Sequence, residues 1–334
     1  MTPSSRPLFS VVIPTFHRNE ALSLCLDRLG PDRQSGVVLV PPDAHSADRP
    51  IGTSPTYEVI VADAGTSRTA AALITARYPW ARWVPCPGRG PGPTRNKGAS
   101  VAQGDWLVFV DDDCVPGNTY LKAIDAVRTA DTDVIEGRIL VKDKIDSPFR
   151  RQPENDVGGL FWSGNLSIRR DAFVSLGTFD EDYEGACEDM DLAHRIRSRQ
   201  LCAKFASEAV VWHPSQVETL PAIIRRLKLF RWHLLYRLKT GASAPLDASR
   251  SIVLANLVAW HCTDELRRTW HLVSRHDPSQ WKGRLVLQLW AWLTLPARLP
   301  YLMMWELRFR RMLRERSAGQ NGDLTSCDFL QNPR

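Results

Sequence analysis

The chain has 334 residues, 43% of them hydrophobic and 24% charged, with a formal net charge of +6 and a sequence pI near 9.0. This composition excludes a disordered chain and allows one large domain or two modest ones. The seven scattered cysteines form no CxxC pair, which argues against a disulfide framework or zinc ribbon and for a reducing compartment.

The N-terminus, MTPSSRPLFSVVIPTF, has no long apolar stretch ending in a small-residue cleavage site. The expectation is no signal peptide and a cytoplasmic protein. FSVVIPTF (9–16) reads as a buried strand, and HRNEALSLCLDRL (17–29) carries apolar residues at helical spacing. Residues 30–56, rich in Pro, Gly, Ser and Asp, read as a loop insertion. YEVIVADAG (57–65) is a second strand, SRTAAALITARY a helix, and ARWVPCPG a short third strand. GRGPGPTRNKGASVAQG reads as a Gly/Pro loop running into a helix, and DWLVFVDDD as a fourth strand with its acids at the C-terminal end. DVIEGRILV is another strand. FWSGNLSIRRDAFVSLGTFDE mixes a short strand with a helix. YEGACEDMDLAHRIRSRQ places acids at the start of an amphipathic helix with Met190, Ala193 and Ile196 on one side, and AKFASEAVVWHP is the last strand. Alternating strands and helices imply a mostly parallel sheet. Ligands of such sheets sit beyond the carboxyl ends of the strands, where Thr15, Asp63 and Asp111 to Asp113 fall.

Three clusters invite chemistry. The triplet Asp111, Asp112 and Asp113 is either a solvated turn or a site for Mg2+ or Mn2+, which take carboxylate and phosphate oxygens. Glu188, Asp189 and Asp191 either answer a helix dipole or supply a general base. Arg95 and Lys97 either end a basic turn or contact a nucleotide diphosphate. The loop fits neither the GxGxxG nor the P-loop pattern.

In order along the chain, FSVVIPTFHR, VIVADAGTS, TRNKGAS, WLVFVDDDCVP, SGNLSIRRDAF with GTFDE, and CEDMDLAHRIR resemble the motifs of family 2 glycosyltransferases. The resemblance covers roughly residues 8–215. It implies a GT-A fold, a mostly parallel α/β sheet flanked by helices with a C-terminal helical segment. It also implies an inverting sugar transferase that uses a divalent metal and a nucleoside-diphosphate sugar. Pro14 and Thr15 then edge the nucleotide pocket, Asp63 meets the base (usually uracil), and Arg95 lies near the nucleotide. Asp111 and Asp113 match the DxD motif, with Asp111 near ribose and metal, Asp113 on the metal and Asp112 between them. Asp189 matches the catalytic base with Glu188 beside it, and Gly164 and Asn165 resemble the segment lining donor sugar and acceptor. His213 stands where some members complete the metal site; an ordinary strand-end histidine is the alternative. Ala64 replaces a second acid usual after Asp63, and the QxxRW motif of processive synthases is missing, so transfer of a single sugar is expected. A sugar-nucleotide nucleotidyltransferase is the runner-up, but PTFHRNE replaces the Gly-rich basic loop it would carry after the first strand. A non-catalytic nucleotide- or glycan-binding relative is the third reading.

The catalytic domain is expected over 1–218, a basic helical region over 219–316 and a frayed tail over 317–334. From Pro221 to Arg316 eighteen Lys and Arg stand against six Asp and Glu, with seven of the twelve Trp. Helices lying in a membrane interface, on the inner face of the cell membrane, are the favoured reading; a helical subdomain packing its Trp inward is the other. Nucleic acid is disfavoured by the apolar content. The acceptor is expected to be a lipid-linked or cell-surface polysaccharide precursor.

Overall fold

The computed structural model describes residues 6–40, 54–142, 153–217, 228–274 and 292–323, with a few single positions between them. The chain divides into two compact units, one formed by residues 1–145 and 151–216, the other by 146–150 and 217–334.

The first unit is built on a nine-stranded sheet among the described residues. Its strands are β1 (Phe9–Thr15), β2 (Val38–Leu39), β3 (Thr56–Asp63), β4 (Arg82–Pro85), β5 (Trp106–Val110), β6 (Val115–Pro116), β7 (Val134–Val141), β8 (Asn165–Arg169) and β9 (Ala203–His213). The order is β2-β3-β1-β5-β8-β7-β9-β6, with β4 also on β3. β1 pairs in parallel with both β3 and β5, whereas β8 runs antiparallel between β5 and β7. The helices of this unit are α1 (Asn19–Leu29), α2 (Thr69–Arg77), α3 (Pro91–Val101), α4 (Tyr120–Val127), α5 (Arg170–Ser175) and α6 (Glu188–Ser198).

Strand alternation sorts the core into two faces. Val11, Ile13, Val59, Val61, Val108 and Val110 face Leu22, Leu26, Ile74 and Ile124 from α1, α2 and α4. Val12, Ile60, Leu107 and Phe109 face the other way, onto Ala99, Phe173, Phe179, Leu192 and Ile196. All five residues of β5 are buried, as expected of a central strand covered on both faces. After β1 the chain winds outward through β3 and β4, then crosses back by α3 to β5 on the other side of β1. The crevice at this reversal lies beyond β1 and β5, the position where doubly wound sheets take ligands.

Three local readings change. The Gly/Pro stretch is already helical from Pro91, so Arg95 sits on a helix and not on a loop. Pro is well suited to the first helical turn, and Gly90 before it holds φ 108, with a Cβ there falling 2.0 Å from the Glu184 carbonyl oxygen. The insertion contains β2, paired with β3; residues 41 and 43–53 lie outside the described residues. On α6 the inner side is Leu192, Ala193 and Ile196, while Met190 is 38% exposed, because Glu188 and Asp191 take the buried places of the first turn.

The second unit is helical in its described parts: α7 (Phe230–Lys239), α8 (Arg250–Ser274) and α9 (Leu295–Asp323). Trp232, Leu234, Leu235, Val253, Leu257, Leu302 and Phe309 are buried, and Trp232 and Trp305 both lie against Phe309. Trp232 is inside and Trp305 half-buried, whereas Trp270 is 71% exposed. Among the described residues no helix is long and apolar enough to cross a membrane. Of the apolar stretch 285–307, residues 285–288, 290 and 291 lie outside the described residues, and 295–307 belong to α9.

Candidate active site

The acids leave β5 at the crevice. Val110 is the last residue of the strand, and the Cys114 N–H donates back to the Asp111 carbonyl (3.0 Å), turning the chain so that Asp111, Asp112 and Asp113 come off its end. They are not equivalent. Asp112 is 1% exposed, accepts from the Thr15 hydroxyl (2.7 Å) and is bound by the Arg18 guanidinium. Burial pushes Asp112 up to about 6, with Arg18 and Thr15 opposing that rise. Arg18 also pairs with Asp113 at 2.9 Å. The motif reading passed over Arg18; the signal was its place three residues beyond the end of β1, beside an acid triplet that follows the neighbouring strand β5.

Asp113 meets His213 across the sheet edge, with His213 Nε2 3.5 Å from its Oδ1. His213 Nδ1 lies 2.8 Å from the Pro214 carbonyl oxygen. With Nδ1–H donating there, Nε2 carries the lone pair and faces a carboxylate oxygen. A cation between the two would resolve that opposition. Among the described residues no three His, Cys, Asp or Glu side chains close round one point. Asp113 and His213 therefore fit a hard divalent cation only as a partial shell completed by substrate phosphate and water, the manner in which Mg2+ is commonly held.

Arg95 joins this end of the site to α6. It is 4% exposed and pairs with Asp111 at 2.6 Å and with Glu188 at 3.0 Å. Burial works against its charge, but Asp111, Asp189 and Glu188 outweigh burial and raise its pKa. Burial, then Asp189 alongside, pushes Glu188 up to about 7, against the pull of Arg95. Asp189 is also raised, by burial first, with Arg95 opposing and Asp111 adding. One oxygen of Asp189 accepts from the Ser163 N–H (3.3 Å), and the Ser163 side chain also lowers its pKa; the other, Oδ1, is shut from solvent and has no hydrogen-bond partner within standard distance among the described residues. The residue before this pair, Cys187, holds φ 74, a left-handed conformation uncommon outside glycine and often found at functional sites. Asp191 instead pairs with Arg195 one turn on, at 2.6 Å, and braces the helix.

The other expected residues fall round this frame. Asp63 ends β3, 3% exposed, and accepts from the Gly65 N–H (2.8 Å) and the Trp83 indole (3.1 Å). Pro14 on β1 pairs in register with Ala62 on β3. Gly164 lies against the triplet: a Cβ there would stand 3.3 Å from Asp111 Oδ2. Asn165 departs from expectation as a side chain. Its amide donates to the Arg138 and Ala209 carbonyls (both 2.9 Å) and accepts from the Tyr120 hydroxyl (2.9 Å). It is a brace between strands.

The model of the family described as Glycosyl transferase family 2 matches residues 10–184. The chain belongs to glycosyl transferase family 2. Sugar transfer is the function that this membership supports. The fold agrees: a solved structure of the mannosyltransferase PcManGT from Pyrobaculum calidifontis, in complex with GDP-Man and Mn2+, superposes with a TM-score of 0.50. It is 17% identical, and the match covers 93% of this chain and 87% of that one. S. aureus TarS 1-349 is 16% identical, with 93% and 91% covered and a TM-score of 0.48. The comparison with curated proteins gave no match. The family 2 chain thus has a GT-A sheet whose reversal point gathers Thr15, Arg18, Asp111 to Asp113, Arg95, Glu188 and Asp189.

Proposed function

We propose that this family 2 chain is an inverting glycosyltransferase that moves one sugar from a nucleoside-diphosphate sugar, uridine-linked, to a hydroxyl acceptor. The observation that carries the reading is the solvent-shielded Oδ1 of Asp189 beside Arg95, which has no hydrogen-bond partner among the described residues. A buried acceptor-only oxygen at a rigid helix start suits a general base. Asp189 takes the proton of the acceptor hydroxyl as that oxygen attacks C1 from the face opposite the diphosphate, and a single displacement inverts the anomeric centre.

Asp63 at the end of β3 offers its carboxylate to the base. Arg95 holds Asp111 and Glu188, keeping negative charge fixed on both sides of the reacting centre. Asp113 and His213, with Asp111 near, would hold a divalent metal, which would supply neutralisation of the leaving diphosphate. Arg18, bound to Asp112 and Asp113, is half-exposed and close enough to that site to meet the diphosphate as well.

The helical unit is assigned to the acceptor and the membrane interface. The cation excess after Pro221 supports this, as do the outward side chains of α8, with Ile252 53%, Leu266 60% and Trp270 71% exposed. The acceptor class is lipid-linked or cell-surface polysaccharide precursor. Flotation with anionic liposomes tests this part: the full chain is expected to float, and Leu266→Ser with Trp270→Ser to remain at the bottom.

Thermal unfolding with UDP- and GDP-linked sugars tests the main reading. With Mn2+ present, one UDP-sugar is expected to raise Tm by about 2–4 °C or more at saturating concentration. Equal shifts with and without the metal, or none with any donor, would overturn it.

A further inference from the structure

Glu136 lies in the middle of β7, 2% exposed, away from the acids described above. Its carboxylate collects four donors. Oε1 accepts from the Leu160 N–H (3.0 Å), the Phe161 N–H (2.6 Å) and the Asn155 amide (2.5 Å); Oε2 accepts from the Gly159 N–H (2.5 Å). Three successive backbone N–H groups thus wrap one anion, the concavity that turn backbones offer to anions. No Lys or Arg ion pair with Glu136 occurs among the described residues. The wrapping needs an unusual backbone: Gly158 holds φ 77, Gly159 φ 88 and Phe161 φ 54. A carboxylate is required chemically, because the amide nitrogen of a glutamine would set donor against donor at one of these contacts.

The loop so shaped reaches both ends of α6. Two residues past Phe161, the Ser163 N–H is the donor to Asp189 at 3.3 Å. At the far end of the helix, Arg197 donates to the Gly159 carbonyl (3.1 Å) and its guanidinium lies over the Phe161 ring (5.7 Å). The segment 158–163 is a strap fastened to the first and last turns of the helix that carries Asp189, and Glu136 is its anchor.

We infer that Glu136 is a positioning residue for Asp189, acting through this loop and the Ser163 N–H, without touching substrate. The inference rests on the reading of Asp189 as the base. Displacing a base by an ångström or less is enough to cost turnover while leaving donor binding alone.

Glu136→Gln, close in size, is the first variant, and Arg197→Ala, at the surface, the second. Hydrogen exchange on the full chain reads the loop without any ligand. Turnover is read as Mn2+-dependent UDP release from whichever of UDP-glucose, UDP-galactose and UDP-N-acetylglucosamine the native protein consumes. In Glu136→Gln, exchange at Gly159 to Phe161 and at Ser163 is expected to quicken about tenfold or more while β1 and β5 stay protected. kcat is expected to fall about 10- to 100-fold with the donor KM within about twofold. Arg197→Ala should move both in the same direction by a few-fold. Unchanged exchange at Ser163, or native kcat in a folded Glu136→Gln, overturns the inference, as does a fall in kcat matched by loss of donor binding. If Glu136→Gln does not fold, Arg197→Ala decides, and an unchanged Ser163 amide there overturns it. A native protein that releases no UDP from any donor while the loop responds as expected locates the failure in the transferase reading and not in the strap.

Discussion

Each unit of the chain buries an arginine against a glutamate. Arg95 in the sheet unit is 4% exposed and Arg310 in the helical unit 1%, and each pairs at 3.0 Å, with Glu188 and with Glu306. The surroundings differ. Arg310 also donates to Ser243 Oγ (3.2 Å), to the Ala244 carbonyl (3.0 Å) and to the Pro245 carbonyl. It ties α9 to the turn before α8, and the buried Arg237 also feels Glu306, so here cations outnumber the acid they surround. Arg95 meets Asp111 and Glu188 and feels Asp189; with Asp112 and Asp113 next in the chain, five acids stand against Arg95 and Arg18. Buried ion pairs are common in frameworks and are weak marks of function. An excess of acids over cations is what sets the sheet unit apart; an oxygen without a partner does not, since Glu306 Oε2 also has none among the described residues.

Replacing the two arginines separates these cases most sharply. Arg95→Met leaves buried acids without their cation and is expected to cost about 3–5 kcal/mol and to abolish UDP–Mn2+ stabilisation. Arg310→Met is expected to cost a similar amount in urea denaturation, yet the protein that remains folded should bind UDP and Mn2+ as the native one does. Loss of that binding in folded Arg310→Met would erase the distinction.

A pH series sharpens the comparison further. Glu188 holds its proton up to about 7 in the folded chain against an ordinary value of 4.5. Between these values the folded state binds more protons than the unfolded one, so this group's contribution to stability is lost as pH rises through that window. Glu188→Gln should flatten the decline between pH 4.5 and 7. The smallest effect is expected from Arg18→Ala. Arg18 is half-exposed, so its pair is screened. Without it Asp112 rises further above 6, and the loss, about 1 kcal/mol, should be larger at pH 8, where Asp112 is charged, than at pH 5. Equal losses at the two pH values would show that Arg18 does not answer the charge of Asp112.

Much of the sheet was legible because β1, β3 and β5 are short apolar runs ending in polar residues, and because the acids cluster where those runs stop. The helix from Pro91 was not, since Gly and Pro mark loops by composition and start helices only in the right order, here a left-handed Gly90 followed by Pro91. Asp111, Asp113 and Asp189 could be picked out from motif order. Arg18 could not, because its partners lie 94 and 95 residues away and only the β1–β5 pairing brings them near. Asn165 read as a substrate contact for the same reason in reverse: the carbonyls that take its amide belong to β7 and to the strand around Ala209. Glu136 sits inside an apolar strand pattern, where nothing local shows that an acid will be wrapped by a loop more than twenty residues on.

The central claim is a single displacement with Asp189 as its base. Proton NMR of the sugar first released from an α-linked UDP-sugar, in Mn2+ and before mutarotation, tests it most directly. The account predicts the β anomer from the native protein, and a rate lower by about 10²- to 10⁴-fold from Asp189→Asn with UDP–Mn2+ stabilisation intact. Release of the α anomer, or near-native turnover by Asp189→Asn, would contradict it.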